Sequence, residues 1–525
     1  MNVNSSTEKW TLIATILASS MVFIDSFAMN IVLPSIQADL NLSGKSIMWI
    51  INSYSLFLSS LLLVGGSLGD LYGRKKIFII GIVIFSVSSL LCGISPGAEL
   101  LIAARAFQGI GGALMVPGSL AIISAIIPAK KRGKAFGTWS TFTMLTTIIG
   151  PAFGGWLAGL GLWRVIFFIN IPFAVFVIAA LIIKVPENKD ESAKKLDIPG
   201  AILATLGLSG ITYGFLEASD KGFGNFTIQL SLAAGLFSLI AFLIVEMKST
   251  HPMIPLKLFK SRAFSGVNAM TLFVYAALSV SLFFLPLNLI QVQGYPEAIA
   301  GLTLLPFAIL VSALSRFTGN FSDKFGSRIP LIVGPICAGI GLFLLTFPGL
   351  TEGPKEFWTT FFPGIFVLGT GMGILVAPLT ATVMASVPEN NSGIASGVNN
   401  TMARTAGLLA VAVLGAIILI TFRSDLTSNV NAFNISDDKK TELINASIDL
   451  AETQPPQSLT VEETQQAKKI IKASFIQSFN FIIYISVVLT LLGSLISMLT
   501  VKKDICSGRP KVSNTDICIK DVMCR

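Results

Sequence analysis

In a chain of 525 residues, 53% hydrophobic and only 12% charged, the mean hydropathy of +0.77 and a charge fraction about half that of a soluble domain exclude a soluble fold. The net charge of +9 would suit nucleic acid in a soluble protein, but here the basic residues sit in short loops between apolar runs, where they set membrane orientation. With one histidine, no Walker loop, no dinucleotide fingerprint and no His–Cys cluster, the sequence offers no cofactor, no metal centre and no Ser-His-Asp arrangement, so neither an enzyme nor an ATP-driven pump is expected.

A membrane-crossing helix needs about 20 mostly apolar residues. Fourteen such runs follow one another, at 11–33, 46–69, 77–95, 99–127, 135–160, 165–183, 198–216, 226–246, 264–291, 298–319, 329–347, 357–385, 393–422 and 473–500. The first is too long for the apolar core of a signal peptide, so it reads as a spanning helix. Of 37 Lys and Arg, 24 fall in segments on one side and ten on the other, while Arg105, Arg316 and Arg404 lie inside apolar runs. The richer side is the cytoplasmic one, which places both termini in the cytoplasm. Cys92 and Cys337 read as packing residues, and Cys506, Cys518 and Cys524 of the tail as free thiols.

Asp25 lies near the middle of the first run, where an acid costs about 2.5–3.5 kcal/mol on insertion scales. Hydrocarbon disfavours the charged form of an acid. Asp25 therefore reads as a proton carrier or a counter-charge to a cation, against the plainer reading of a bonded packing residue. After the second run comes Gly66-Ser-Leu-Gly-Asp70-Leu-Tyr-Gly73-Arg74-Lys75-Lys76. Its glycines suit a tight turn, and Asp70 can either cap the third helix or pair with Arg74, as a latch that opens and closes. In the fourth run Arg105 stays protonated and must be paired or wet. Gln108 and Gly109 share its helical face. In the fifth, Gly150, Pro151, Gly154 and Gly155 make a small-residue face with a weakened ladder, suited to a seam. Glu217 and Glu246, at run ends, read as interfacial. Met21, Met29, Asn30, Tyr54, Gln108, Tyr275, Phe283 and Arg404 are candidates for lining a substrate cavity, although each also reads as packing.

A weaker copy of the turn, Gly319-Asn-Phe-Ser-Asp323-Lys-Phe-Gly326-Ser-Arg328, recurs 253 residues later, after the tenth run. The duplication sets the expected organisation: a six-helix unit at 1–183, a polar, solvated linker and two inserted helices within 184–262, and a second six-helix unit at 263–500. Within the last, 423–472 is read as a mobile external excursion with a short helix near 459–470; 501–525 is a cytoplasmic tail.

Taken together, these motifs resemble the drug:proton antiporters of the major facilitator superfamily, in the branch with fourteen helices. The turn matches the superfamily motif at Gly66, Asp70, Gly73 and Arg74. The fourth run is similar to the branch's proton-coupling motif at Arg105, Gln108 and Gly109. The fifth is similar to its antiporter motif at Gly137, Gly150, Pro151, Gly154 and Gly155, with Thr146 where a further glycine is usual. The first run matches at Asp25, Asn30, Leu33 and Pro34, and Trp163-Arg164, Asn170-Ile-Pro172 and His251-Pro252 with Phe259 also look like that branch. No second deep acid appears in the last six runs.

The resemblance implies an all-α polytopic membrane protein with the major facilitator fold, two six-helix bundles plus two inserted helices. It further implies proton-coupled export of amphipathic, lipophilic or cationic compounds across a bacterial inner membrane, with Asp25 exchanging the proton, Arg105 biasing its release, and Asp70, Arg74, Asp323 and Arg328 gating. The partners implied are a small-molecule substrate, protons and the lipid bilayer, with no nucleic acid. The chain would act as a monomer, and some branch members also work with a periplasmic adaptor protein, for which 423–472 is the natural place. Export of one endogenous metabolite, lipid or siderophore is the alternative, and a non-transporting scaffold or sensor the second.

Overall fold

The computed structural model describes residues 5–188, 197–249, 252–387, 392–431, 433, 435–445, 450–456 and 459–501. Its long elements are all helices: α1 (Ser5–Leu40), α2 (Gly44–Tyr72), α3 (Arg74–Gly93), α4 (Ala98–Ile126), α5 (Ala129–Gly159), α6 (Val165–Phe168) and α7 (Asn170–Lys184). Then come α8 (Ile198–Lys221), α9 (Phe226–Lys248), α10 (Arg262–Leu287), α11 (Glu297–Thr303), α12 (Leu305–Phe325), α13 (Arg328–Leu344), α14 (Phe361–Ala385), α15 (Ser392–Asn431), α16 (Asp437–Asn445) and α17 (Val461–Thr500). Helix is the form that satisfies every backbone group inside hydrocarbon. The starts are marked by capping side chains: Ser43 accepts from the Ser46 amide at 3.2 Å, Asp197 from Gly200 at 2.8 Å, and Thr460 forms a capping box with Glu463.

Among the described residues, twelve helices are long and apolar enough to cross a membrane. Two of the fourteen expected spans are not among them. One is α13, apolar but 17 residues long, and the other is α5, some of whose side chains lie outside the described set.

The helices assemble as two bundles that pair in the same order. In the first, α1 packs on α5 and α7, α4 on α2 and α3, and α3 on α7. In the second, α10 packs on α15 and α17, α14 on α12 and α13, and α13 on α17. The inserted pair, α8 and α9, packs on itself; α8 leans on α2 and α15, while α9 turns Phe226, Phe237 and Met247 outward. An apolar exterior is the expected face toward lipid.

Three expectations need correction. The segment 423–472 is largely helical and packed: α15 runs on to Asn431, α16 follows, and the helix expected near 459–470 is the start of the 40-residue α17. Phe433, Leu443, Leu450 and Ala467 are buried there, since the polar stretch still places an apolar residue wherever it meets the bundle. Of the 184–197 linker, 189–196 lie outside the described residues; its start is not simply solvated, because Val185 is buried and Glu187 is bonded to α3. Glu246 is buried rather than interfacial and accepts from the Ile254 amide at 3.0 Å, whereas Glu217 pairs with Lys45 and Lys221.

Candidate functional site

Asp25 and Arg105 meet between α1 and α4. Arg105 Nη1 donates to Asp25 Oδ2 at 2.5 Å, and both side chains are about 1% exposed or less. Gln108, one turn beyond Arg105, completes a triangle. Its Nε2 donates to Asp25 Oδ1 at 3.0 Å, and its Oε1 accepts from Arg105 Nη1 at 2.6 Å. Neutralising a carboxylate with one charged and one neutral donor is how a buried ion is tolerated at all.

A second layer holds that triangle. Gln108 Nε2 also reaches Ser89 Oγ at 3.1 Å, which in turn accepts from Asn170 Nδ2 at 2.8 Å. Cys92 lies 3.8 Å from Gln108 Oε1. Arg105 stacks over Tyr54, its Cζ 4.2 Å from the ring centroid, and the Tyr54 hydroxyl is 3.3 Å from Ser26 Oγ. Gly109 sits against the Tyr54 carbonyl so closely that any Cβ would collide with it, which brings α2 and α4 together at this level. Five helices, α1, α2, α3, α4 and α7, thus converge on one acid.

The Gly66–Lys76 turn realises one of its two expected arrangements. Arg74 Nε donates to Asp70 Oδ1 at 2.8 Å. The start of α3 is capped instead by Glu187, which accepts from the amides of Lys75 and Lys76 at 3.0 Å each. Gly73 takes φ 109°, and a Cβ there would lie 2.8 Å from the Glu187 carboxylate. In the second copy Gly326 takes φ 88°, and Arg328 donates to the Met498 carbonyl at 3.1 Å. The side chain of Asp323 lies outside the described residues, as do that of Arg316, Gly137, His251 and the tail cysteines.

The α5 motif lies on two interfaces. Gly150 and Gly154 face α1 at Phe27 and Ala28, while Gly155 touches the Glu297 carbonyl and Gly301 touches that of Pro151, joining α5 to α11 across the bundles. At the same end, opposite the Asp70 turn, Gln291 donates to Gln37 at 2.8 Å and Ser35 to Glu297 at 3.4 Å.

The candidate cavity residues divide. Tyr54 and Gln108 belong to the charged cluster. Met21 packs beside Tyr54, and Met29 and Phe283 are enclosed in the larger core. Asn30, Tyr275 and Arg404 are partly buried. Sequence reasoning did not find Ser89 as a support or Glu187 as a cap. The only hint of the first was the run of serines at 86, 88 and 89 in an otherwise apolar helix; nothing near Glu187 names its partner.

The comparisons with known proteins agree with this architecture. The model of the Major Facilitator Superfamily matches residues 15–411. The multidrug resistance protein Stp of Mycobacterium tuberculosis (strain CDC 1551 / Oshkosh) is 30% identical over 413 residues, covering 78% of this chain and 76% of that protein. A probable actinorhodin transporter of Streptomyces coelicolor is 33% identical over 436 residues, 81% and 75% of the two chains. Among solved structures, an inward-facing, unoccupied bacterial homologue of the human lysosomal transporter Spinster superposes with a TM-score of 0.67 at 16% identity, covering 95% of this chain and 97% of that one. The chain belongs to the Major Facilitator Superfamily, as a multi-pass membrane transporter rather than an enzyme.

Proposed function

We propose that this protein exports amphipathic drug-like compounds from the cytoplasm in exchange for protons. The observation that carries the reading is the sealed Asp25–Arg105–Gln108 triangle. A chain that keeps charge out of most of its helices spends an acid and a base where each costs about 2.5–3.5 kcal/mol on insertion scales. Pairing offsets that cost without making it profitable, since a packed apolar pair is often as stable. Such a pair is retained for what it does.

Its chemistry follows from valence. Ionised Asp25 accepts from Arg105 and Gln108; protonated Asp25 loses an accepting oxygen and the attraction of the guanidinium. Seating Arg105 on Asp25 and parting α4 from α1 are the two arrangements between which the proton would be exchanged. The cross-bundle contacts at Gly155, Gly301 and Gln37 lie at the end opposite the Asp70 turn. With the basic side as cytoplasm, this arrangement supports a state closed to the exterior with the proton released, the state in which an exporter takes up its cargo. The two bundles, with proposed bounds 1–183 and 263–500, would rock about the site, α5 and α11 closing and parting. The names of relatives favour drugs and antibiotics, and the actinorhodin transporter's name favours the second reading of a single dedicated cargo. We propose the monomer as the working unit.

Proteoliposomes holding wild type or Asp25→Asn, loaded with a fluorescent dye and given a pH gradient, test the reading. Wild type should move dye against its gradient, and the variant, which cannot exchange a proton, should lose that drive while remaining folded. Undiminished gradient-driven efflux by Asp25→Asn sinks it.

A further inference from the structure

A second cation within an apolar helix, Arg404, is not accounted for by the proton site. It lies in α15, twelve residues from the start of that helix and well inside the span. The side chain is only partly buried. Among the described residues no acid lies within salt-bridge distance and no hydrogen bond holds it, and its nitrogens are not among the sealed, unsatisfied atoms of the interior. The guanidinium is therefore unpaired yet reachable.

Where it points follows from the packing of α15 on α2, the main contact of the second bundle with the first along that helix. The two run antiparallel. Gly415 faces Met48, Leu408 shares a small apolar cluster with Leu56, and Gly397 faces Leu63. Arg404 thus falls opposite the middle of α2, within about two turns of Tyr54, and is close enough for its charge to act on the Tyr54 hydroxyl. Two arginines, one from each bundle, thus lie near Tyr54: Arg105, over its ring, is neutralised by Asp25, and Arg404 meets no acid among the described residues.

An arginine kept inside a membrane needs a counter-charge, and the described residues supply none. We propose that the exported compound supplies it: Arg404 binds an acidic group of the cargo, a carboxylate, sulfonate or phenolate, in the fork geometry guanidinium favours, with the Tyr54 ring as an apolar neighbour. The transporter is thereby selective for anionic or zwitterionic amphiphiles over cations. This rests on the export reading and narrows its amphipathic, lipophilic or cationic cargo to compounds that carry an acidic group. It also alters the energetics. An anion leaving while a proton enters moves two charges in the same direction, so a negative-inside potential drives both, whereas exchange of a monovalent cation for one proton moves no net charge.

The test uses two dyes on the same ring system, anionic carboxyfluorescein and cationic rhodamine 6G, with binding to the purified full chain read by fluorescence anisotropy. Wild type should bind carboxyfluorescein about tenfold more tightly than rhodamine 6G, the worth of one charge-assisted hydrogen bond. Arg404→Lys should keep the preference, Arg404→Gln should abolish it and Arg404→Glu should reverse it, all eluting like wild type on size exclusion. Equal or tighter binding of rhodamine 6G by wild type overturns the proposal, as does an unchanged preference in Arg404→Gln, including the case where that variant only loses proton coupling. The two readings fail separately. Anion preference with flux indifferent to the pH gradient refutes proton exchange and leaves the role of Arg404 standing. Gradient-driven rhodamine efflux without anion preference does the reverse.

Discussion

The two bundles pair their helices in the same order but treat buried charge differently. In the first, an acid and an arginine from two helices are locked together by Gln108, and Ser89 and Asn170 brace the lock. In the second, the polar bonds between α10 and α15 are neutral, Asn399 donating to Thr271 at 2.8 Å and to Asn268 at 3.2 Å, while Arg404 has no partner among the described residues. The two bundles share a backbone plan and differ in chemistry; on our reading the proton is handled on one side and the cargo's charge on the other.

The largest expected effect breaks this contrast directly. Arg105→Gln leaves Asp25 buried beside a single neutral donor and should destabilise the ionised protein by about 3–5 kcal/mol, the cost of orphaning one member of a buried pair. Arg404→Gln removes a charge without a partner among the described residues and should leave thermal unfolding unchanged or slightly raised. Unfolding of both variants in detergent checks this, and equal losses would show that Arg404 is held by something in the folded chain.

The turns between helices two and three of each bundle give a finer contrast. Gly73 and Gly326 both sit at positive φ, where a side chain costs about 1–2 kcal/mol. At Gly73 a Cβ would also press on the Glu187 carboxylate at 2.8 Å, so Gly73→Ala should cost more than Gly326→Ala, by the loss of the cap on α3. Thermal unfolding of the two alanine variants, measured side by side, reads the difference.

What the sequence made legible follows the same divide. Apolar runs report helices directly, because hydrocarbon permits little else, and a lone acid or arginine in such a run stands out by its cost, which is why Asp25, Arg105 and Gln108 were found. Their pairing was foreseeable only in outline, since which helix meets which is decided by packing. Ser89 and Asn170 carry no cost of their own and were invisible as supports. Glu187 was unreadable for a different reason: it sits 111 residues beyond Lys76, and no periodicity links a cap to a helix start that distant. Segment 423–472 was misread because its polar residues hid the sparse apolar contacts, Phe433, Leu443 and Leu450, that tie it down.

Glu187 also supplies the smallest effect and the sharpest test of asymmetry between the two turns. In the first, a carboxylate from the linker accepts two amides at the start of α3, where the helix dipole favours negative charge. In the second, the cation Arg328 reaches the end of α17 and finds a carbonyl, an interaction to which a glutamine could still donate. Glu187→Gln keeps the shape but removes the charge and one of the two accepting oxygens, and should cost about 0.5–1 kcal/mol, of which salt should diminish the charge-dependent part. Arg328→Gln should cost less and respond little to salt. If both losses prove equal and salt-insensitive, the linker is only a tether. If the first alone is salt-sensitive, Glu187 clips the chain beyond α7 electrostatically to the turn, a contact that the second copy replaces with a bond from Arg328 to α17.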